Sequence, residues 1–257
     1  DVRTADDTTF AALQALFDHH GLVFLRDQQL SEQDHIALAE RLGTINVNRF
    51  FVRHPDHPEI AMVTKEPGQR LNVGGFWHTD HSYDPEPAMG SILLARELPE
   101  EGGDTLFADM HKAWDSLPEA LRKAIEGRTA AHSYTARYSE PRFEGNWRPT
   151  LSAAQLAEVR EVVHPIVRTH PESGRKALFV SEGFTTRIVG LPADESAQLL
   201  AELYAHSVRP EHIYRHRWQA HDLVFWDNRS LIHLAGGCPA HLRRKLYRTT
   251  IQGDAPF

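Results

Sequence analysis

Cysteine is almost absent: Cys238 stands alone among 257 residues. A single thiol excludes an intramolecular disulfide framework and a cysteine-rich zinc site, and it agrees with a reducing, cytoplasmic setting. Basic charge is also in short supply. Lys and Arg number 28 against 35 Asp and Glu, a formal net charge of -7, so no positive field gathers phosphate backbones or anionic lipid. Nucleic acid is not an expected partner. Long apolar runs are missing too. None reaches the ~18 residues of a membrane span, and no signal-peptide pattern opens the sequence. The first residue is Asp1 rather than Met, so native residues are expected to precede it. Internal repeats and low-complexity linkers are likewise lacking, and residues 1–257 read as a single domain.

What is present is an ordinary globular composition, 41% hydrophobic and 25% charged, with 17 histidines. Residues 8–20 predict an amphipathic helix with Phe10, Leu13, Leu16 and Phe17 on one face and Gly21 as its stop. A buried strand follows at 21–27. Ser31 and Asp34 form a capping pair for a second helix that ends at Gly43. Strand-like runs then dominate: 59–65, 90–97, 104–109, 162–170, 176–182, 212–218, 222–228 and 245–252. Helices are predicted at 116–127, from Ser116 to Gly127, and at 194–207. Many short strands with few helices between them imply a mainly β chain with helical decoration, an antiparallel sandwich or barrel. Residues 137–160 are polar and poorly periodic, and read as a long excursion from the sheet, either a lid or a solvated insertion.

The stretch WHTDHSY at 77–83 concentrates chemistry. On a strand, or in the turn just after one, residues i and i+2 project to the same side. His78 and Asp80 therefore offer an imidazole nitrogen and a carboxylate oxygen to one point, while Thr79 turns away and His81 leaves that side. A third ligand must come from elsewhere, and His233 is the best candidate, because it follows the buried run DLVFWDN and precedes Gly236 and Gly237. Two histidines and a carboxylate on one face of a metal are the ligand set of non-haem Fe(II) oxygenases. A hydrogen-bonded His/Asp pair in a loop and an ordinary core histidine are the competing readings. Downstream, Arg244, Leu246 and Arg248 share one face if 245–252 is a strand, which sets the two arginines roughly 13 Å apart along it. Each guanidinium suits an anion such as a carboxylate. An edge strand with surface arginines is the alternative there.

These residues in this order resemble the TauD/TfdA family of Fe(II)- and 2-oxoglutarate-dependent dioxygenases. The resemblance runs from VFLRDQ at 23–28 to TTIQGD at 249–254 and is densest in WHTD, LPEEGGDTLFAD, HPIVRTHPESGRKALFV, EGFTTRIVGL and WDNRSLIH. It implies a double-stranded β-helix, or jelly roll, with His78, Asp80 and His233 as iron ligands. It further implies Thr105 and Arg244 as contacts of 2-oxoglutarate, Arg248 facing the anionic end of the substrate, Trp226 near the metal and Phe184 lining the pocket. The activity implied is hydroxylation of a small anionic organic substrate with O₂, releasing succinate and CO₂. A homo-oligomer, such as a dimer, is the implied assembly. Asn48, Phe51 and Gly74 depart from the taurine-directed pattern of the family's namesake, so a substrate other than taurine is expected, with a larger or less polar body. His81 and Tyr83 flank the metal motif and are within reach of the substrate; for His81 a supporting or solvent-facing place is the competing expectation. The rival functions are a Zn-dependent hydrolase on the same three ligands and a jelly-roll binding protein without oxygenase chemistry.

Overall fold

In a computed structural model of the chain, the described residues are 1–47, 50–69, 72–135 and 159–257. Two helices lead: α1 (Asp7–His20), capped by Asp6 and closed by Gly21 at φ 70°, and α2 (Glu32–Leu42), opened by the predicted Ser31/Asp34 capping box. Strands β1 (Leu22–Leu25), β2 (Ala61–Lys65), β3 (Gly90–Glu97), β11 (Leu223–Asp227) and β13 (Arg244–Ile251) form a five-stranded sheet in the order β1-β11-β3-β13-β2. A facing sheet orders β10 (Ile213–His216), β4 (Thr105–Asp109) and β12 (Leu231–Ala235) as β10-β4-β12. All described pairs in both sheets are antiparallel. Strands distant in sequence are neighbours in each sheet, as a jelly roll requires.

Alternation explains why the central strands read as unbroken apolar runs. In β11, Leu223 and Phe225 pack outward against Phe10 and Phe17 of α1 and Leu38 of α2, while Val224 and Trp226 point inward to Phe107 of β4 and Leu231 of β12. β3 does the same, with Ile92 and Leu94 outward and Leu93 and Ala95 inward. A sheet covered on both faces buries both sets of side chains. The inward set continues along β13 as Arg244, Leu246 and Arg248, so both arginines are carried into the space between the sheets.

Two expectations change. Residues 116–127 are not one helix: α3 (Met110–Asp115) starts straight off β4 with Asp109 as its N-cap, Ser116 closes it, and α4 (Glu119–Ile125) begins after Pro118. The run 162–170 is two strands, β6 (Val162–Pro165) and β7 (Val167–Thr169), in different sheets. Short strands β5 (Thr129–His132), β8 (Lys176–Leu178), β9 (Thr185–Ile188) and the helix α5 (Ala193–Ser207) complete the second layer. The excursion expected at 137–160 lies almost wholly outside the described residues. Among the described residues no helix is long and apolar enough to cross a membrane.

Buried imidazoles give the fold a pH dependence. His35 of α2 is fully buried, 3.1 Å from Thr249 Oγ1, and burial pulls its pKa from 6.5 down to about 4. Burial pulls His132 down to about 3. Both are neutral when folded and bind protons more readily when unfolded, so stability is full above about pH 6.5 and declines as pH falls towards 4. For His35 the loss is on the order of 3 kcal/mol. Urea midpoints measured between about pH 7.5 and 4.5 should fall accordingly, and His35→Gln should flatten part of that fall; an identical slope in the variant would refute the assignment.

Candidate active site

The site is assembled by a two-residue bridge. His78 N donates to His233 O at 3.0 Å and His233 N donates to His78 O at 2.7 Å. Residues exchanging both bonds stand directly opposite, with side chains on one face, and the two imidazole centroids are 4.2 Å apart. His233 thus sits on a strand, β12, that its sequence neighbourhood did not announce. After His78 the chain turns. Thr79 Oγ1 donates to Asn228 O at 2.8 Å, away from the site, and Asp80 swings its carboxylate back towards both rings.

His78 Nε2 lies 3.7 Å from Asp80 Oδ1, and His233 Nε2 lies 3.9 Å from Asp80 Oδ2. One ligand atom from each residue falls within 4.8 Å of the others, a group able to hold a metal ion. Atoms coordinated at ~2.1 Å to one ion stand roughly 3–3.5 Å apart, so the spacing is close to what a cation needs. Protonation agrees. His78 Nδ1 donates to Phe76 O at 2.8 Å, which leaves the Nε2 lone pair for the ion. His233 is held well below the usual imidazole range, first by burial and then by His78, and is a neutral ligand. Burial alone would raise the Asp80 carboxyl, but the positive charge beside it, chiefly the Arg248 guanidinium, holds Asp80 below the usual carboxylate range. Gly74 closes the other side at φ 73°. A Cβ there would come within 2.9 Å of His78 Cε1, so the glycine both permits the turn and makes room for the ring.

Both arginines point into the same cavity. Arg248 Nη2 is 2.8 Å from Asp80 Oδ2 and 3.0 Å from Ser91 Oγ, and the guanidinium lies over the Phe51 ring at 5.3 Å. Arg244 donates through Nε to Gly103 O at 3.1 Å and through Nη2 towards Thr105 Oγ1 at 3.5 Å, and its guanidinium carbon is 5.7 Å from the Trp218 ring centroid. Burial lowers Arg244 to about 10, so it is a cation at neutral pH. Among the described residues no carboxylate pairs with it. A buried charge without a counter-charge is costly, and an incoming anion relieves that cost.

These side chains line one cavity, whose wall includes His78, Asp80, His81, Tyr83, Thr105, Phe51, Phe184, Trp226, His233, Arg244 and Arg248. Every expected site residue that is described is therefore in one place; Asn48 lies outside the described residues. His81 is not solvent-facing. It turns at φ 59° into the cavity wall, only 4% exposed, with Nδ1 2.9 Å from Asp84 Oδ2 and its ring against Tyr83. His81 and Tyr83 also border an outer, more open cavity, to which Asn46, Glu86, Arg160 and Gln252 contribute. Three contributors went unread in the sequence. Ser91 touches Asp80 and Arg248. Trp218 donates to Thr105 Oγ1 at 3.0 Å. Asn228 Oδ1 accepts from Trp226 Nε1 at 2.9 Å and Asp80 N at 3.4 Å. Trp218 and Asn228 were visible as the ends of strand-like runs, but nothing local marks Ser91.

Comparison with known proteins agrees with this chemistry. The family model described as taurine catabolism dioxygenase TauD, TfdA family matches residues 1–250. The alpha-ketoglutarate-dependent 2,4-dichlorophenoxyacetate dioxygenase of Cupriavidus pinatubonensis is 36% identical over 273 residues, covering 99% of this chain and 93% of its own. The alpha-ketoglutarate-dependent sulfate ester dioxygenase of Pseudomonas putida is 33% identical over 266 residues, covering 98% and 83%. The crystal structure of AAD-2 in complex with Mn(II) and N-oxalylglycine matches with a TM-score of 0.83 at 28% identity, covering 100% of this chain and 92% of that one.

Proposed function

The chain belongs to the TauD/TfdA family of dioxygenases, and from that premise we propose that it hydroxylates a small anionic organic substrate, consuming 2-oxoglutarate and O₂ and releasing succinate and CO₂. His78, Asp80 and His233 hold ferrous iron in this reading, and the observation that carries it is their convergence in one cavity with two inward arginines. When bound, the iron supplies O₂ activation coupled to decarboxylation of 2-oxoglutarate. The chain's own residues do the rest. Arg244, with Thr105 beside it, takes the far carboxylate of 2-oxoglutarate, which answers its otherwise uncompensated charge. Mn(II) and N-oxalylglycine in AAD-2 support this, since N-oxalylglycine differs from 2-oxoglutarate by an NH in place of a methylene.

Arg248 receives the substrate's anion. Phe51, Tyr83, Phe184 and Leu93 offer the body of the substrate an apolar wall and exclude water, so the C–H bond to be oxidised is held near the ligand triad. The relatives include dioxygenases of 2,4-dichlorophenoxyacetate, phenoxypropionate and sulfate esters, and phenoxyalkanoates, sulfate esters and sulfonates are the classes to test. Phe51 and Gly74 place no polar group against the substrate, which argues against taurine. A Zn-dependent hydrolase on the same ligands leaves Arg244 and Thr105 without a use.

Anaerobic addition of Fe(II) and 2-oxoglutarate should give a weak visible absorption band, and admitting O₂ with a suitable anionic substrate should yield succinate in proportion to product. Lack of the band, with hydrolysis seen on Zn(II) instead, would favour the hydrolase.

A further inference from the structure

Ser91 lies on β3, wholly buried. Register sets Leu93 opposite Arg248 and Ser91 opposite Trp226, so Ser91 stands diagonally across from Arg248 on the inward face. Its Oγ is 3.0 Å from Asp80 Oδ2 and 3.0 Å from Arg248 Nη2. The direction of both hydrogen bonds is forced. A guanidinium only donates and an ionised carboxylate only accepts, so the Ser91 hydroxyl accepts from Arg248 and donates to Asp80. Asp80 Oδ2 thereby has two side-chain partners, a hydrogen bond from Ser91 and an ion pair with Arg248.

These two partners are not equivalent. Arg248 is the side chain that meets the substrate anion, so its hold on Asp80 competes with substrate. Ser91 is short, buried and committed to the carboxylate whatever the cavity contains. We propose that Ser91 is a positioning residue: it fixes the rotation of the Asp80 carboxylate towards the two imidazoles and keeps it there when Arg248 turns to the substrate. This rests on the reading that His78, Asp80 and His233 hold a divalent ion.

The test is Mn(II) titration of the 257-residue chain, following free Mn(II) by electron paramagnetic resonance, with melting temperature measured on the same samples. Ser91→Ala should weaken Mn(II) binding about tenfold, the scale on which hydrogen-bond partners of metal ligands act. Ser91→Thr keeps the hydroxyl and should restore affinity to near the parent value. Ser207→Ala removes another buried hydroxyl, bonded to Leu203 O in α5 and remote from the site, and should leave affinity unchanged. Parental affinity in Ser91→Ala overturns the proposal, as does a Ser91→Thr as weak as the alanine variant or an equal loss in Ser207→Ala. A parent that binds no Mn(II), or a His233→Ala variant that binds it as well as the parent, instead brings down the metal assignment and the Ser91 inference with it.

Discussion

Asp80→Ala is expected to abolish succinate formation and metal binding together, with turnover falling to the uncatalysed background, on the order of 10⁶-fold or more below the parent. The reason is geometric. The two imidazoles are fixed by the His78–His233 bridge and stand on one side of the prospective ion, and among the described residues no other carboxylate joins them within ligand distance. The carboxylate is also the only negative charge in that group, so its loss leaves two neutral rings beside the cationic Arg248. The measurement is Mn(II) or Fe(II) affinity alongside succinate yield; an Asp80→Ala protein that still binds the ion at parental strength would remove Asp80 from the ligand set.

The same variant has a second consequence. Asp80 is the counter-charge of Arg248, whose guanidinium is 5% exposed by residue and has no other carboxylate partner among the described residues. Removing one side of a buried pair costs about 3–5 kcal/mol, because the other charge is left unpaired. His233→Ala removes a neutral ring and leaves that pair intact. Asp80→Ala should therefore melt lower than His233→Ala, although both are inactive, and equal melting temperatures would count against the pairing.

How far the sequence foretells this site depends on where each side chain gets its position. The central strands were legible because both faces are buried, which turns β3 and β11 into largely apolar runs interrupted by Ser91 and Asp227. His78 and Asp80 were legible because two residues of spacing suffice to aim both. His233 needed an inference across the fold: its place after the buried run DLVFWDN made it the best candidate, and the resemblance to a known family agreed. Other features are tertiary in origin. The split at Ile166 arises where its N–H donates to Arg128 O and its carbonyl accepts from Phe179 N, so one apolar run serves two sheets. α3 was hidden because Asp109 ends a strand and caps a helix at once. Ser91 reads as one more small residue in a buried strand, and only the register against Arg248 gives it a meaning.

Arg244 is where buried charge and function are most tightly joined, and its replacement should show both sides. Arg244 is only 7% exposed, its guanidinium has carbonyl and hydroxyl acceptors only among the described residues, and burial depresses its pKa. Methionine has similar length and no charge to desolvate, and such exchanges of buried ionic groups are often neutral or stabilising. Arg244→Met should therefore melt at or above the parent temperature without ligand. With 2-oxoglutarate the order reverses. Truncating one partner of a buried, hydrogen-bonded charge pair costs roughly 2–5 kcal/mol, so the 2-oxoglutarate requirement should rise on the order of 10²–10³-fold. The substrate's anion is assigned to Arg248, so the KM for substrate should move far less. The measurements are thermal melts with and without 2-oxoglutarate, and succinate formation at varied co-substrate and substrate. Arg244→Met that keeps the parental 2-oxoglutarate dependence would sink the assignment. A variant whose requirement rises for the substrate instead would mean that the two arginines have been given each other's anions.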